Sequence, residues 1–242
     1  GKTTTAVNLG AALASLGKFV LLVDLDPQAN ATQSVGFDPK IIERGLYHAI
    51  AGTSSLREVI QNTAHEGFRI APATPALAGA NVELVNEDER ETKLYKVLQE
   101  AKPLYDYIII DCPPSLGLLT INGLVAADEI LIPVQAEYFA LEGLSQLLST
   151  IELIKENLRP ELSVMGIVIT MFDGRNKLSQ DVMQELYRFK PGKIYRSVIP
   201  RTVRLAEAPS FGKTIFHYEP GGKGARAYER LAKEIVYGEY QE

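Results

Sequence analysis

Tryptophan is missing from this 242-residue chain, cysteine occurs once and histidine three times. A single thiol, Cys112, excludes a disulfide framework within the chain and suits a reducing, cytoplasmic setting; as a residue it reads as a small core side chain. His48, His65 and His217 are scattered and give no cluster for chemistry on a small molecule. No apolar run approaches the ~18 residues a transmembrane helix needs, and no signal peptide is visible. Internal repeats, low-complexity tracts and Pro/Ser-rich linkers are also missing, so residues 1–242 are read as one domain. With 46% apolar residues in 26.6 kDa it is long enough for a large core. The net charge of −5 argues at first sight against nucleic acid. Its distribution argues otherwise, because Arg188 to Lys233 holds eleven basic and three acidic residues, +8 against −13 for the remainder. A basic face on an acidic protein is what sequence-independent phosphate binding uses, with affinity falling steeply in salt. A solvated charged surface is the competing reading.

What is present begins at once. The chain opens Gly1-Lys2-Thr3-Thr4-Thr5, the back half of a P-loop, G-x-x-x-x-G-K-[ST], running into an amphipathic helix. The loop's first glycine and the strand that feeds it are expected upstream of Gly1. A triphosphate concentrates negative charge, which fixed donors must match. Amides at a helix N-terminus point at it and the helix dipole favours it. Lys2 is placed to reach the β/γ oxygens, the Thr3 hydroxyl to ligate the bridging Mg²⁺, and Thr4 to donate to the α-phosphate. A chance Gly-Lys-Thr-Thr with Thr as helix cap competes until the context is read. Ala6, Leu9, Gly10, Leu13 and Leu16 form an apolar stripe at helical spacing, Gly17 closes the helix, and Phe19 to Asp24 is a buried strand.

That strand runs into Asp24-Leu25-Asp26-Pro27-Gln28-Ala29-Asn30, which sets two carboxylates two residues apart where a parallel sheet faces its ligand crevice. A second such strand, Tyr107 to Ile110, ends in Asp111-Cys112-Pro113-Pro114-Ser115 and delivers one acid beside the metal, the double proline stiffening the turn. Strands are expected near 19–24, 69–72, 106–111, 129–134, 163–170 and 194–199. Helices are expected near 3–16, 75–87, 91–101, 117–127, 138–158, 178–189 and 224–236, with 34–66 an irregular insertion of short helices. The alternation argues an α/β fold with a doubly wound, mostly parallel sheet.

GKTTTAVNLGAALA, VDLDPQANAT, IIIDCPPSLGLLTINGLVAADEILIPVQAEYFALEGLSQLL and IPRTVRLAEAPSFGKTI resemble the deviant-Walker ATPases of the ParA type, in particular the chromosomal Soj branch, and the resemblance spans essentially the whole chain. It implies a P-loop NTPase of the deviant Walker A type, with its first strand outside this sequence. It further implies an ATP-dependent homodimer that binds double-stranded DNA without sequence preference, is nucleoid-associated, and is stimulated by a ParB-type centromere-binding partner. The family's signature lysine, which reaches across the dimer, is expected upstream of Lys2. Residue by residue, the resemblance makes Lys2 the phosphate ligand, Thr3 the metal ligand, Asp26 the acid that positions the attacking water and Asp111 a Mg²⁺ ligand through a water. Asp24 is the alternative to Asp26. Thr170, Met171, Pro200 and Arg201 match the region that packs on adenine, and Arg175 and Arg204 match DNA-contacting arginines.

Three relatives of the same architecture are set aside. The nitrogenase iron protein needs two cluster-ligating cysteines per subunit, and one cysteine cannot supply them. The MinD branch docks on membranes through a basic amphipathic C-terminal helix, whereas this sequence ends acidic and polar, Gly238-Glu239-Tyr240-Gln241-Glu242. A metabolic P-loop enzyme such as dethiobiotin synthetase needs polar groups converging on a substrate pocket, and the sequence offers no such cluster.

Overall fold

A computed structural model describes residues 1–137, 140–189 and 192–238. In chain order the elements are α1 (Lys2–Ser15), β1 (Val20–Asp24), α2 (Asn30–Ser34), α3 (Leu46–Ile50), α4 (Leu56–Val59), β2 (Gln61–Asn62), β3 (Phe68–Ala71), α5 (Leu77–Glu83), α6 (Lys93–Leu98), β4 (Tyr107–Asp111), α7 (Leu118–Ala126), β5 (Glu129–Gln135), α8 (Ala140–Asn157), β6 (Ser163–Thr170), α9 (Lys177–Phe189), α10 (Val203–Glu207), α11 (Ile215–Tyr218) and α12 (Lys223–Tyr237). Tyr138, Phe139 and Lys190 of the sequence reading, and the C-terminal Glu239 to Glu242, lie outside the described residues.

The strands form two groups, β2-β3-β1-β4 and β5-β6, parallel throughout except for the short β2–β3 pair. Successive residues of β1 feed opposite layers. Val20 and Leu22 pack with α1, α11 and α12, while Leu21 and Val23 pack with α3 to α7. This two-sided burial is what makes a strand read as a continuous apolar run and the sheet doubly wound. A third cluster joins β5 and β6 to α8 and α9. Among the described residues β4 pairs only with β1 and β5 only with β6, and between β4 and β5 lies a slot of about 780 Å³, walled by Lys2, Ala6, Leu9 and Leu13 of α1.

Helix α1 is buried from Thr5 to Leu13, which sets the P-loop sequence rigidly at the sheet's C-terminal edge. Gly10 is required there, since a Cβ would lie 2.6 Å from the Phe68 ring.

The expected strand at 194–199 is not continuous. Its ends follow β6, with the Tyr195 N–H donating to Ile167 O at 2.8 Å and the Ile199 N–H to Ile169 O at 2.9 Å. In between, the Glu234 carboxylate of α12 accepts the N–H groups of Arg196 and Ser197, at 2.9 and 3.0 Å, and draws them off the ladder. The expected helix at 91–101 shortens to Lys93–Leu98, and the irregular stretch holds α3, α4 and the antiparallel β2.

Candidate functional site

The first intrahelical backbone bond of α1 is from Thr5 N–H to Gly1 O, 3.0 Å, which leaves the amides of Lys2, Thr3 and Thr4 without helical acceptors. Gly1 caps the helix with no side-chain bond, and Lys2 is exposed. A Cβ at Gly1 would come 2.9 Å from Thr170 Oγ1, so the end of β6 abuts the helix start. The donors and the cation expected around a triphosphate are thus gathered at one place.

Facing them are two strand-end carboxylates in register. Asp24 and Asp111 are direct partners across the parallel β1–β4 pair, and both are buried. Their surroundings differ. Asp24 is saturated: Oδ2 accepts the Thr32 N–H at 2.8 Å and the Thr32 hydroxyl at 2.6 Å, and Oδ1 accepts the Asp26 N–H at 3.2 Å. Burial still raises its pKa to about 6, against the pull of those donors. Asp111 has no hydrogen-bond partner for either oxygen among the described residues. Burial pushes its pKa up to about 7, helped by the carboxylates of Asp24 and Asp26. The approaching Thr3 hydroxyl, and then Lys2, pull the other way, although Thr3 stays outside hydrogen-bond geometry. A buried carboxylate that lacks a partner is costly unless a cation meets it, and this one lies beside the Thr3 hydroxyl. The donor set of hydroxyl and carboxylate oxygens suits a hard cation such as Mg²⁺.

Asp26 sits on the loop after β1, nearly buried. Its Oδ1 accepts the Gln28 N–H at 2.9 Å and its Oδ2 has no protein partner among the described residues. Ala29 (φ 55°) turns this loop in a left-handed conformation, and Met171 (φ 53°) does the same just beyond β6. Non-glycine residues held there store strain, and such positions concentrate at functional sites.

The four residues matched to the adenine region come together. Phe172 and Pro200 form a parallel bridge, and the Arg201 N–H donates to Phe172 O at 2.9 Å, which sets Pro200 and Arg201 beside Thr170 and Met171. Arg201 also lies 3.6 Å from Glu137. The two arginines matched to DNA contacts are both engaged elsewhere: Arg175 is bidentate to Asp173 at 3.1 and 3.0 Å, and Arg204 reaches Glu207 at 3.0 Å and Glu219 at 3.6 Å. The Arg175 guanidinium holds the Asp173 carboxyl down at about 2. Sequence reasoning passed over Thr32, which joins the Asp24 carboxylate to the segment after β3; its only signal was a hydroxyl eight residues beyond Asp24.

Fold and site together define an α/β P-loop nucleotide-binding protein. A sequence model described as an AAA domain matches residues 1–164. Over 98% of its length the chain is 51% identical to the sporulation initiation inhibitor protein Soj of Bacillus subtilis, covering 93% of that protein. It is 48% identical over the same share to the chromosome partitioning protein ParA of Myxococcus xanthus, covering 83% of it. Among solved structures, a Mycobacterium smegmatis protein described as a cobyrinic acid a,c-diamide synthase, with bound ADP and magnesium, superposes with a TM-score of 0.84 at 34% identity, over 99% of this chain and 92% of that one. The chain belongs to the Soj/ParA family of chromosome-partitioning ATPases.

Proposed function

We propose that this chain is an ATP-gated DNA-binding switch: ATP closes a homodimer, the dimer binds double-stranded DNA without sequence preference, and slow hydrolysis, stimulated by a ParB-type partner, releases it. The observation that carries the nucleotide half is Asp111, a buried carboxylate with no protein partner beside Thr3 and across from Asp24. Lys2 and the free amides of Lys2, Thr3 and Thr4 hold the phosphates. Thr3, and Asp111 through a water, would hold Mg²⁺, which would supply positive charge against the phosphates. Asp26, with Oδ2 open, orients the water that attacks, while Asp24 is already saturated and serves the loop. Thr170, Met171, Pro200 and Arg201 form the berth for adenine. Residues 1–242 act as a single ATPase domain, and the slot between β4 and β5 is read as the berth of a strand leading into Gly1.

The DNA half rests on charge placement. Besides Arg175 and Arg204, the side chains of Lys223, Arg226 and Arg230 on one face of α12 line a cavity of about 280 Å³ with Phe172, Val198 and Pro200. None of these three is ion-paired among the described residues. No described helix is long and apolar enough to cross a membrane. The M. smegmatis relative is named for chemistry on a small molecule, but identity is higher to Soj and ParA.

ATP hydrolysis measured with and without non-specific DNA and a ParB-type partner separates the two classes. The switch requires turnover to rise when both are added. Turnover indifferent to both, and accelerated by a small carboxylic acid, would overturn the proposal.

A further inference from the structure

We propose that Thr32 is a positioning residue for hydrolysis, its hydroxyl fixing the loop that carries Asp26. The inference rests on the reading of Asp26 as the water-orienting acid. A threonine hydroxyl has one hydrogen to donate and lone pairs to accept, and Thr32, wholly buried, uses both. It donates to Asp24 Oδ2 at 2.6 Å and accepts the Ala73 N–H at 3.0 Å. The end of β1, the start of α2 and the segment after β3 are therefore tied at one oxygen.

Through Asp24 the tie reaches Asp26. The second oxygen of Asp24 takes the Asp26 N–H at 3.2 Å, and the Ala29 N–H closes on Asp26 O at 2.8 Å. Leu25, between the two acids, donates its N–H to Asp111 O at 2.9 Å. The left-handed Ala29 folds the chain back so that Thr32 lies under Asp24. The Asp26 N–H is thus held by a carboxylate that the Thr32 hydroxyl in turn holds. Among the described residues no hydrogen bond of the Thr32 side chain reaches the start of α1, where the phosphates are held. Its loss should disturb the orientation of the water and leave ground-state nucleotide binding in place.

Thr32→Val keeps the shape but strands the Ala73 N–H and removes a donor from Asp24 in a dry interior. In the full-length protein kcat for ATP should fall by roughly 10- to 100-fold, the scale expected for a displaced catalytic group, while KM and the affinity for a fluorescent ATP analogue change by less than about 3-fold. Thr32→Ser restores the hydroxyl and should return kcat to within about 3-fold of wild type. Asp24→Asn serves as a second variant should Thr32→Val fail to fold: its amide cannot satisfy all three donors, and it should show the same kcat-selective loss. Asp26→Ala is measured alongside. Normal turnover in Asp26→Ala overturns the reading of Asp26 and the inference with it. Slow turnover in Asp26→Ala with wild-type kcat in Thr32→Val, or in Asp24→Asn where that is the variant read, overturns the inference alone. A loss that serine fails to rescue, or nucleotide affinity falling in parallel with kcat, also overturns it.

Discussion

Asparagine at position 111 should make the nucleotide-free protein more stable and at the same time deaf to Mg·ATP. Asp111 is 2% exposed, without a hydrogen-bond partner for either oxygen, and burial lifts its pKa from 3.8 to about 7. An acid whose folded pKa exceeds its unfolded value holds its proton more tightly in the folded state. Stability therefore declines as pH climbs through the interval between the two values, and the decline is complete above the upper one. At about 1.4 kcal/mol per pH unit, the ionised group costs on the order of 4 kcal/mol at pH 8, an upper bound for a site that water can partly reach. The asparagine amide, itself unpartnered, returns about 1–3 kcal/mol of that. A net gain of about 1–3 kcal/mol remains, and at ~2–4 °C per kcal/mol for a chain of this size Tm should rise by several degrees. At pH 5, only about 1.2 units above the unfolded value, the linkage costs the wild type about 1.6 kcal/mol, which the unpartnered asparagine amide offsets, so the difference should shrink toward zero. Thermal unfolding followed by circular dichroism at both pH values, with and without Mg·ATP, provides the check. Wild type should gain Tm on adding Mg·ATP at pH 8, and Asp111→Asn should gain little. A variant less stable than wild type at pH 8, or one with an undiminished Mg·ATP shift, refutes the reasoning.

Arg175→Glu and Arg204→Glu should each weaken retention on unrelated DNA sequences about equally and flatten the salt dependence while ATP-dependent dimerisation survives, because phosphate contacts position without reading bases; unchanged retention with an unchanged salt slope would remove the residue from the interface. His65, stacked on His217 at 3.7 Å and bonded to the Thr214 hydroxyl, is held down to about 4 by burial and by His217. The unfolded chain takes that proton first, so folded stability drops as pH falls from the ordinary imidazole range toward 4, by about 1–2 kcal/mol after allowing for solvent at this half-exposed site. His65→Gln should flatten the difference in Tm between pH 7 and pH 5, and an identical difference in both proteins counts against the stack as its source. Gly10→Ala drives a methyl against Phe68 and should cost about 1–3 kcal/mol despite alanine's better helix propensity, with Phe68→Leu recovering part of it in the double variant; additive losses would contradict the clash.

The parallel strands were legible because burial on both faces gives unbroken apolar runs, and because the acids that end β1 and β4 stop them abruptly at the ligand edge. The segment at 194–199 is apolar only at its ends, with Arg196 and Ser197 between them, and it leaves the ladder there. The decision belongs to Glu234, which lies more than thirty residues away and takes two of its amides. Long-range polar contacts of this sort leave no periodicity to read. Thr32 is hidden for the same reason: within ANAT it looks like a cap or a solvated hydroxyl, and its partners Asp24 and Ala73 are joined only by the fold.

The site's chemistry was legible where a local motif carries it, as at Gly1 to Thr4, and the pairing of Asp24 with Asp111 was not, since register across a parallel pair is a tertiary property. Arg175 and Arg204 are matched to DNA contacts by resemblance alone, and the fold adds a constraint to that expectation. Arg175 and Arg204 already hold carboxylates, so a phosphate must displace or share Asp173, Glu207 and Glu219, and each contact gains less than a free cation would. Lys223, Arg226 and Arg230 face no such exchange. Their affinity for a phosphate backbone should depend on salt alone, while that of Arg175 and Arg204 depends also on the acids beside them. Neutralising Asp173 should therefore tighten DNA binding through Arg175, whereas neutralising Glu229, which pairs with Lys233 on the same helix as the free cations, should leave those cations' contribution unchanged.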